Sequence, residues 1–401
     1  MTGPDRRMVL AGGLAAAGFG FGAPAQAAAN RLALWDNTTG PHLRGAVLSQ
    51  RRVIARVDGP EFLGNGVTGS PISDAALAAL ADAGANLVVL SHPGPRHVAP
   101  PYAVDDAVMT SLDTLVRRCE RAGLFVVIGY RAGPGRSAFT FHRDSAGDWF
   151  PADLLDEHLW QSREAGDAWC EMWRETARRF RARPNIAGYM PMVEPNANLV
   201  ARGPDGGDLD EWDPQRLAGR VAGTPADWPA LFARIARAIR AEDADTPVLA
   251  SPDGYASARF APLLDRGAVP GIVLALHDYG PRAYTHQDRN ARIDFRPDEA
   301  AFRPDIAGPW MMGEFGTSRW APRAERYLAA RIASLEAAGA GWSVFRWDTG
   351  YRIYENRENR FNPVYGTRAG ASRPVASSPL VEVLRSAWQR NTERPRLALR
   401  R

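Results

Sequence analysis

Short β-rich runs alternate with helical patterns along almost the whole chain, and that alternation leaves few architectures open. Eight runs read as strands: Ala46 to Ser49, Asn86 to Ser91, Leu124 to Tyr130, Ile186 to Met192, Pro247 to Ser251, Ile272 to Leu276, Trp310 to Gly313 and Trp342 to Trp347. Their near-continuous apolar character, as in Leu87-Val88-Val89-Leu90, suits strands covered on both faces. Between them, Ser73 can cap a helix that carries Leu77 and Leu80 on one face, with Gly84 past its end. A second helix runs toward Gly123, and a third bears Trp169, Trp173 and Phe180 at helical spacing before Pro184. Others carry Phe232, Ile235 and Ile239, or Leu328, Ile332 and Leu335 ahead of Gly339. Eight strand-helix units predict an α/β fold of the closed (β/α)8 TIM-barrel type, one domain with long βα loops, rather than an open doubly wound sheet. No GxGxxG or phosphate loop favours the open sheet.

The chain has 401 residues, 45% of them apolar, enough to bury one large core. Its net charge of +4 comes from arginines that alternate with acids and form no long basic run, which excludes a nucleic-acid-binding signature. At the N-terminus Asp5-Arg6-Arg7-Met8-Val9-Leu10, then the weakly apolar stretch from Ala11 to Pro24, has the order of a twin-arginine export signal cut after Ala25-Gln26-Ala27. The expectation is therefore a signal over residues 1–27 and a catalytic domain over 28–401. Such a protein would meet the twin-arginine export machinery, work in the periplasm or outside the cell, and act as a monomer. Nothing later approaches about 18 uninterrupted apolar residues, so no stable membrane span is expected. The two cysteines, Cys119 and Cys170, fall on consecutive helices and read as buried thiols.

Two irregular stretches, Ala197 to Thr224 and Tyr351 to Ser378, follow the fourth and eighth strands, so both emerge at the C-terminal face where barrel enzymes build their sites. Two glutamates stand at strand ends on that same face. Glu194 follows Met190-Pro191-Met192-Val193, and Glu314 follows Met311-Met312-Gly313. Strands four and seven lie on opposite sides of a barrel mouth. A carboxyl from each can converge at the roughly 5 Å that retaining glycoside hydrolysis requires, one protonating the leaving oxygen and the other attacking the anomeric carbon.

These residues carry a resemblance. Arg44-Gly45, Gly84-Ala85-Asn86-Leu87-Val88, Pro184-Asn185-Ile186-Ala187-Gly188-Tyr189 before Glu194-Pro195, His277-Asp278-Tyr279, Gly313-Glu314-Phe315-Gly316 and Trp347, in that order, resemble glycoside hydrolase family 5, the cellulase family. The resemblance implies Glu194 as acid/base, Glu314 as nucleophile, His277 and Tyr279 as hydrogen-bonding supports, and Trp347 as the aromatic floor of a sugar subsite. It implies a carbohydrate substrate, β-linked glucan or mannan, and neither metal nor organic cofactor. The family has asparagine immediately before the acid/base glutamate, where this chain has Val193; Asn196 is the candidate to take over its contact with the sugar.

His92, Arg96, Tyr130 and Arg131 are further candidate subsite residues, and Trp149, Trp160, Trp320 and Tyr351 candidate sugar platforms. Two other readings remain open: a non-catalytic carbohydrate-binding barrel, and a metal-dependent hydrolase using His92, His277 and Asp278, although no HxH or HExxH spacing supports the latter.

Overall fold

Eight parallel strands close into a barrel in strictly sequential order, the eighth pairing with the first. In this computed structural model, which describes residues 31–58, 64, 66–203, 205–348 and 359–395, they are β1 (Arg44–Ser49), β2 (Leu87–Pro93), β3 (Phe125–Ala132), β4 (Ile186–Met190), β5 (Val248–Ala250), β6 (Ile272–His277), β7 (Trp310–Phe315) and β8 (Gly341–Val344). All eight expected runs are strands. The expected export signal with its cut after Ala27, Tyr351 and the first part of the loop it opens lie outside the described residues. Among the described residues no helix is long and apolar enough to cross a membrane.

The longer helices are α1 (Asp74–Asp82), α2 (Asp106–Arg121), α3 (Arg163–Phe180), α4 (Pro214–Val221), α5 (Trp228–Arg240), α6 (Ala324–Ala337) and α7 (Pro379–Trp388). The hydroxyl of Ser73 accepts from the Ala76 amide and caps α1, which buries Leu77 and Leu80; Gly84 follows at φ 102°. Regular helices are missing from two crossovers. After β5 and β6 the chain makes only short turns, at Asp253–Ala256, Ala258–Leu263, Arg282–Thr285 and Pro297–Ala300. Pro262, Pro281 and Pro297 stand in or beside these turns, where a missing amide donor keeps a helix from extending.

Alternation along the strands sorts the core into two layers. Leu48, Leu90 and Ile128 face outward beneath the helices, while Val47, Val89, Val127, Leu249, Ala275 and Met311 fill the barrel. Trp35 joins that inner cluster, donating its indole N–H to the Ala187 carbonyl at 3.0 Å, and so plugs the N-terminal end. The open end is the C-terminal one. Cys119 and Cys170 are buried free thiols, Cys119 pushed up to about 12 by burial.

Candidate active site

β4 ends at Met190, and the segment beyond it turns Glu194 into the mouth with a left-handed backbone, φ 51°. A non-glycine residue there costs about 1–3 kcal/mol, so something must hold it. The buried guanidinium of Arg136 does so, donating from Nη2 to the Glu194 carbonyl at 2.6 Å and from Nη1 to the carbonyls of Val193 at 3.0 Å and Arg131 at 2.8 Å. Arg136 comes from the Gly133-Pro134-Gly135 turn that follows β3.

β7 delivers Glu314 by a register shift. Leu276 pairs with Met312 but His277 pairs with Glu314, so Gly313 is an extra residue in the ladder. Met312 and Phe315 both face outward, and between them Gly313 and Glu314 occupy a space where regular alternation allows one inward residue. Such a bulge re-aims a side chain. Gly313 must stay small, because a Cβ there would lie 2.9 Å from Nε2 of His277.

His277, last residue of β6, joins the two acids. Its Nδ1 is 2.9 Å from Oε1 of Glu194 and 3.5 Å from Oε2 of Glu314, while the hydroxyl of Tyr279 donates to Oε2 of Glu314 at 3.0 Å. One oxygen of each carboxylate and one ring nitrogen of His277 all lie within 4.8 Å of one another. Burial pushes Glu314 up to about 7, and the charge of Glu194 adds to this; the charges of His277 and Arg131 and the Tyr279 hydrogen bond pull the other way. Burial works against a charged His277, but the charge of Glu314 and the hydrogen bond and charge of Glu194 outweigh it and raise its pKa. The charges of the two carboxyl groups and the imidazole therefore act on one another.

Glu194, Glu314, His277 and Tyr279 thus come together as expected from the sequence. Trp347 does not join them. It packs against Trp388 of α7 with ring centroids 5.3 Å apart and belongs to the outward layer. The β8 ladder stops at Val344, Trp347 resumes contact through its amide to the Val47 carbonyl, and its ring turns out of the barrel. The inward aromatic is Phe345, which joins the inner cluster and meets the Tyr279 ring edge-on at 6.3 Å, with Phe361 5.7 Å away. Asn196 is likewise corrected. It is fully buried, its amide nitrogen donating to Thr140 and its oxygen accepting from Trp160, so it braces the loop rather than facing a sugar. Val193 packs into the inner apolar cluster above Gly129.

The remaining candidates divide. Tyr130 faces outward and bonds Thr176, Arg96 pairs with Glu175, and Trp160 is core against Trp228. Trp149 packs on Phe139, His142 and Phe150, and the indole of Trp320 donates to the Gln287 carbonyl. His92 is buried with Nδ1 against the Pro93 carbonyl, while Asp278 is paired with Arg331, so the metal set of His92, His277 and Asp278 does not assemble. Among the described residues the only cluster that could hold an ion is Glu194, His277 and Glu314, the carboxylate pair itself. Arg131 does face the mouth. Arg136 and Phe345 escaped the sequence reading; the glycine-proline turn before Arg136 was the one local hint of a side chain held in a fixed place.

The cellulase model, glycosyl hydrolase family 5, matches residues 57–351. Among solved structures, one described as a glycoside hydrolase is 17% identical with TM-score 0.61 over 86% of this chain and 99% of its own. The Pseudomonas stutzeri endoglucanase Cel5A is 17% identical with TM-score 0.59, over 90% of this chain and 98% of its own. Thermotoga maritima Cel5A in complex with cellobiose substrate gives 16% and 0.55, over 88% and 98%. No protein of curated function matches the sequence significantly. The chain is a glycosyl hydrolase of family 5, the cellulase family.

Proposed function

We propose that the protein is a retaining glycosidase that cleaves β-linked glucan or mannan chains through Glu314 as nucleophile and Glu194 as acid/base. The observation that carries this is the approach of the two carboxylates: oxygens within 4.8 Å suit the roughly 5 Å of a retaining pair and leave no room for the water that an inverting pair, about 6.5–9.5 Å apart, must hold. The names of the structural neighbours, endoglucanases among them, support a β-glucan.

In the first step Glu314 bonds to the anomeric carbon as the glycosidic bond breaks, and Glu194 gives its proton to the departing oxygen; in the second Glu194 takes a proton from water, whose oxygen bonds to the anomeric carbon as its bond to Glu314 breaks, which releases the sugar. The first step needs Glu314 ionised. Burial and the charge of Glu194 raise its pKa to about 7, and the charges of His277 and Arg131 and the Tyr279 hydroxyl oppose that rise. Phe141, Tyr279, Phe345 and Phe361, grouped at the top of the inner cluster, offer apolar faces to pyranose C–H groups. Residues 28–401 are read as one catalytic domain, monomeric, and export by the twin-arginine route is read from the Arg6-Arg7 signal order.

The test is hydrolysis of β-glucan, mannan, xylan and aryl β-glycosides by wild type, Glu194→Gln and Glu314→Gln. Glu314→Gln should lose on the order of 10⁴-fold in kcat, about 5 kcal/mol. Glu194→Gln should lose as much on polymers but retain a burst of phenol release from aryl glycosides with good leaving groups, which need no acid. Folded, sugar-binding wild type with no turnover on any substrate would instead favour a non-catalytic binding barrel.

A further inference from the structure

The arc of the mouth formed by β1, β2 and β3, leading up to β4, carries polar inward positions without partners. Val47, Val89 and Val127 are inward, so Ser49, Ser91 and Gly129 form the next layer, in register with one another; Arg131 follows at a slip in the β2–β3 ladder, where Tyr130 pairs with His92 but Ala132 with Pro93, and its charge reaches Glu314. The hydroxyls of Ser49 and Ser91 and Nε of Arg131 are buried with no hydrogen-bond partner among the described residues. Ser49 is 8% exposed and Ser91 1%. Unpaired buried donors of this kind are costly unless a ligand satisfies them.

Arg131 is also unlike its neighbours in charge. Arg51 is paired with Asp58 at 2.6 Å and Arg52 with Asp105, but no carboxylate pairs with Arg131 among the described residues. Its guanidinium carbon lies 4.1 Å from the centre of the Phe141 ring, a cation–π contact beside the inner cluster. The local potential is positive: burial, then Arg131 and Arg51, push His142 down to about 3, so that ring adds no charge of its own.

We propose that Arg131, with the hydroxyls of Ser49 and Ser91, forms a subsite for a carboxylate carried by the sugar beside the scissile bond, so that the polymer cut is an acidic one containing uronic acid residues. A planar guanidinium that contacts an aromatic ring can still take a carboxylate through two parallel N–H bonds, and the serine hydroxyls can donate to the same group. The Arg131 charge, which acts on Glu314 without a direct ion pair, then gains a contact partner from the substrate. The proposal rests on the glycosidase reading above for its reaction, though not for its binding.

The experiment compares cellotetraose with the same oligomer oxidised at C6 to glucuronic acid. Wild type should show kcat/KM at least tenfold higher on the oxidised oligomer. Arg131→Gln, checked for fold by circular dichroism, should bring that ratio to about one, and Arg131→Lys should keep part of it. In calorimetry, Glu194→Gln should bind the oxidised oligomer at least tenfold more tightly, a preference absent from the Glu194→Gln, Arg131→Gln double variant. Tighter acidic binding without turnover would defeat the catalytic reading and leave this one standing. Equal affinities, a wild-type preference for the neutral oligomer, or an Arg131→Gln loss shared equally by both with only a shifted pH profile would overturn it, the last making Arg131 no more than a counter-charge to Glu314.

Discussion

The ends of β4 and β7 bring one glutamate each to the same space, and they hold it by opposite means. Glu194 lies past its strand, its side chain 15% exposed, and is fixed through its backbone, which Arg136 clamps in a left-handed turn. Glu314 lies inside its strand, 7% exposed, and is fixed through its side chain, which a bulge aims inward and Tyr279 grips. Under the proposed roles, an acid/base at Glu194 trades protons with the leaving group and with water, so access serves it. A nucleophile at Glu314 meets one carbon at one angle, so burial and a rigid strand serve it, at the cost of a pKa lifted to about 7.

If Glu194 depends on its backbone clamp, the largest effect after loss of a carboxylate itself belongs to Arg136. Arg136→Lys keeps the charge but offers a point donor where a fork spans three carbonyls. The expected loss in kcat is roughly 100-fold, the scale of a displacement of about 1 Å in a catalytic group. An enzyme with full kcat and merely a lower Tm would show that Arg136 only stabilises the fold.

Glu314, by contrast, depends on its hydroxyl partner. Tyr279→Phe removes a donor that favours the carboxylate over the acid, so the acid limb of kcat/KM, which reports the free enzyme, should move to higher pH. About tenfold in kcat/KM is expected near neutrality, shrinking as pH rises. A limb that stayed in place or moved down would mean that the Tyr279 bond does not tune this carboxylate.

Strand existence, order and the two glutamates were legible in the sequence because apolar runs and strand-end acids are local signals. What escaped it depends on where a ladder stops or slips. Trp347 shares its alternation with Phe345 on paper, yet pairing ends at Val344 and the period no longer decides which way a ring points. Asn196 is near Glu194 in the chain but is held away by Thr140 and Trp160, which belong to the connection before β4. Arg136 acts 58 residues from Glu194, through carbonyls that no side-chain pattern encodes.

The comparison also separates the two acids by stability. The folded-state pKa of Glu314, about 7, lies above the ordinary 4.5, so the group binds its proton more tightly folded than unfolded. Its favourable contribution is therefore complete below about pH 4.5 and fades as pH rises toward 7 and beyond, where a charge must stay buried. Replacing it by neutral glutamine removes that loss. Glu314→Gln should be roughly 2–5 °C more stable than wild type at pH 7.5 by thermal melting, with the difference shrinking toward pH 4.5. Glu194→Gln, which removes only the neighbouring charge that adds to the pKa rise of Glu314, should show a smaller growth with pH. A gain in Glu314→Gln that is flat across pH would place the stabilisation in packing rather than charge, and would remove burial as the cause of the asymmetry between the two strand ends.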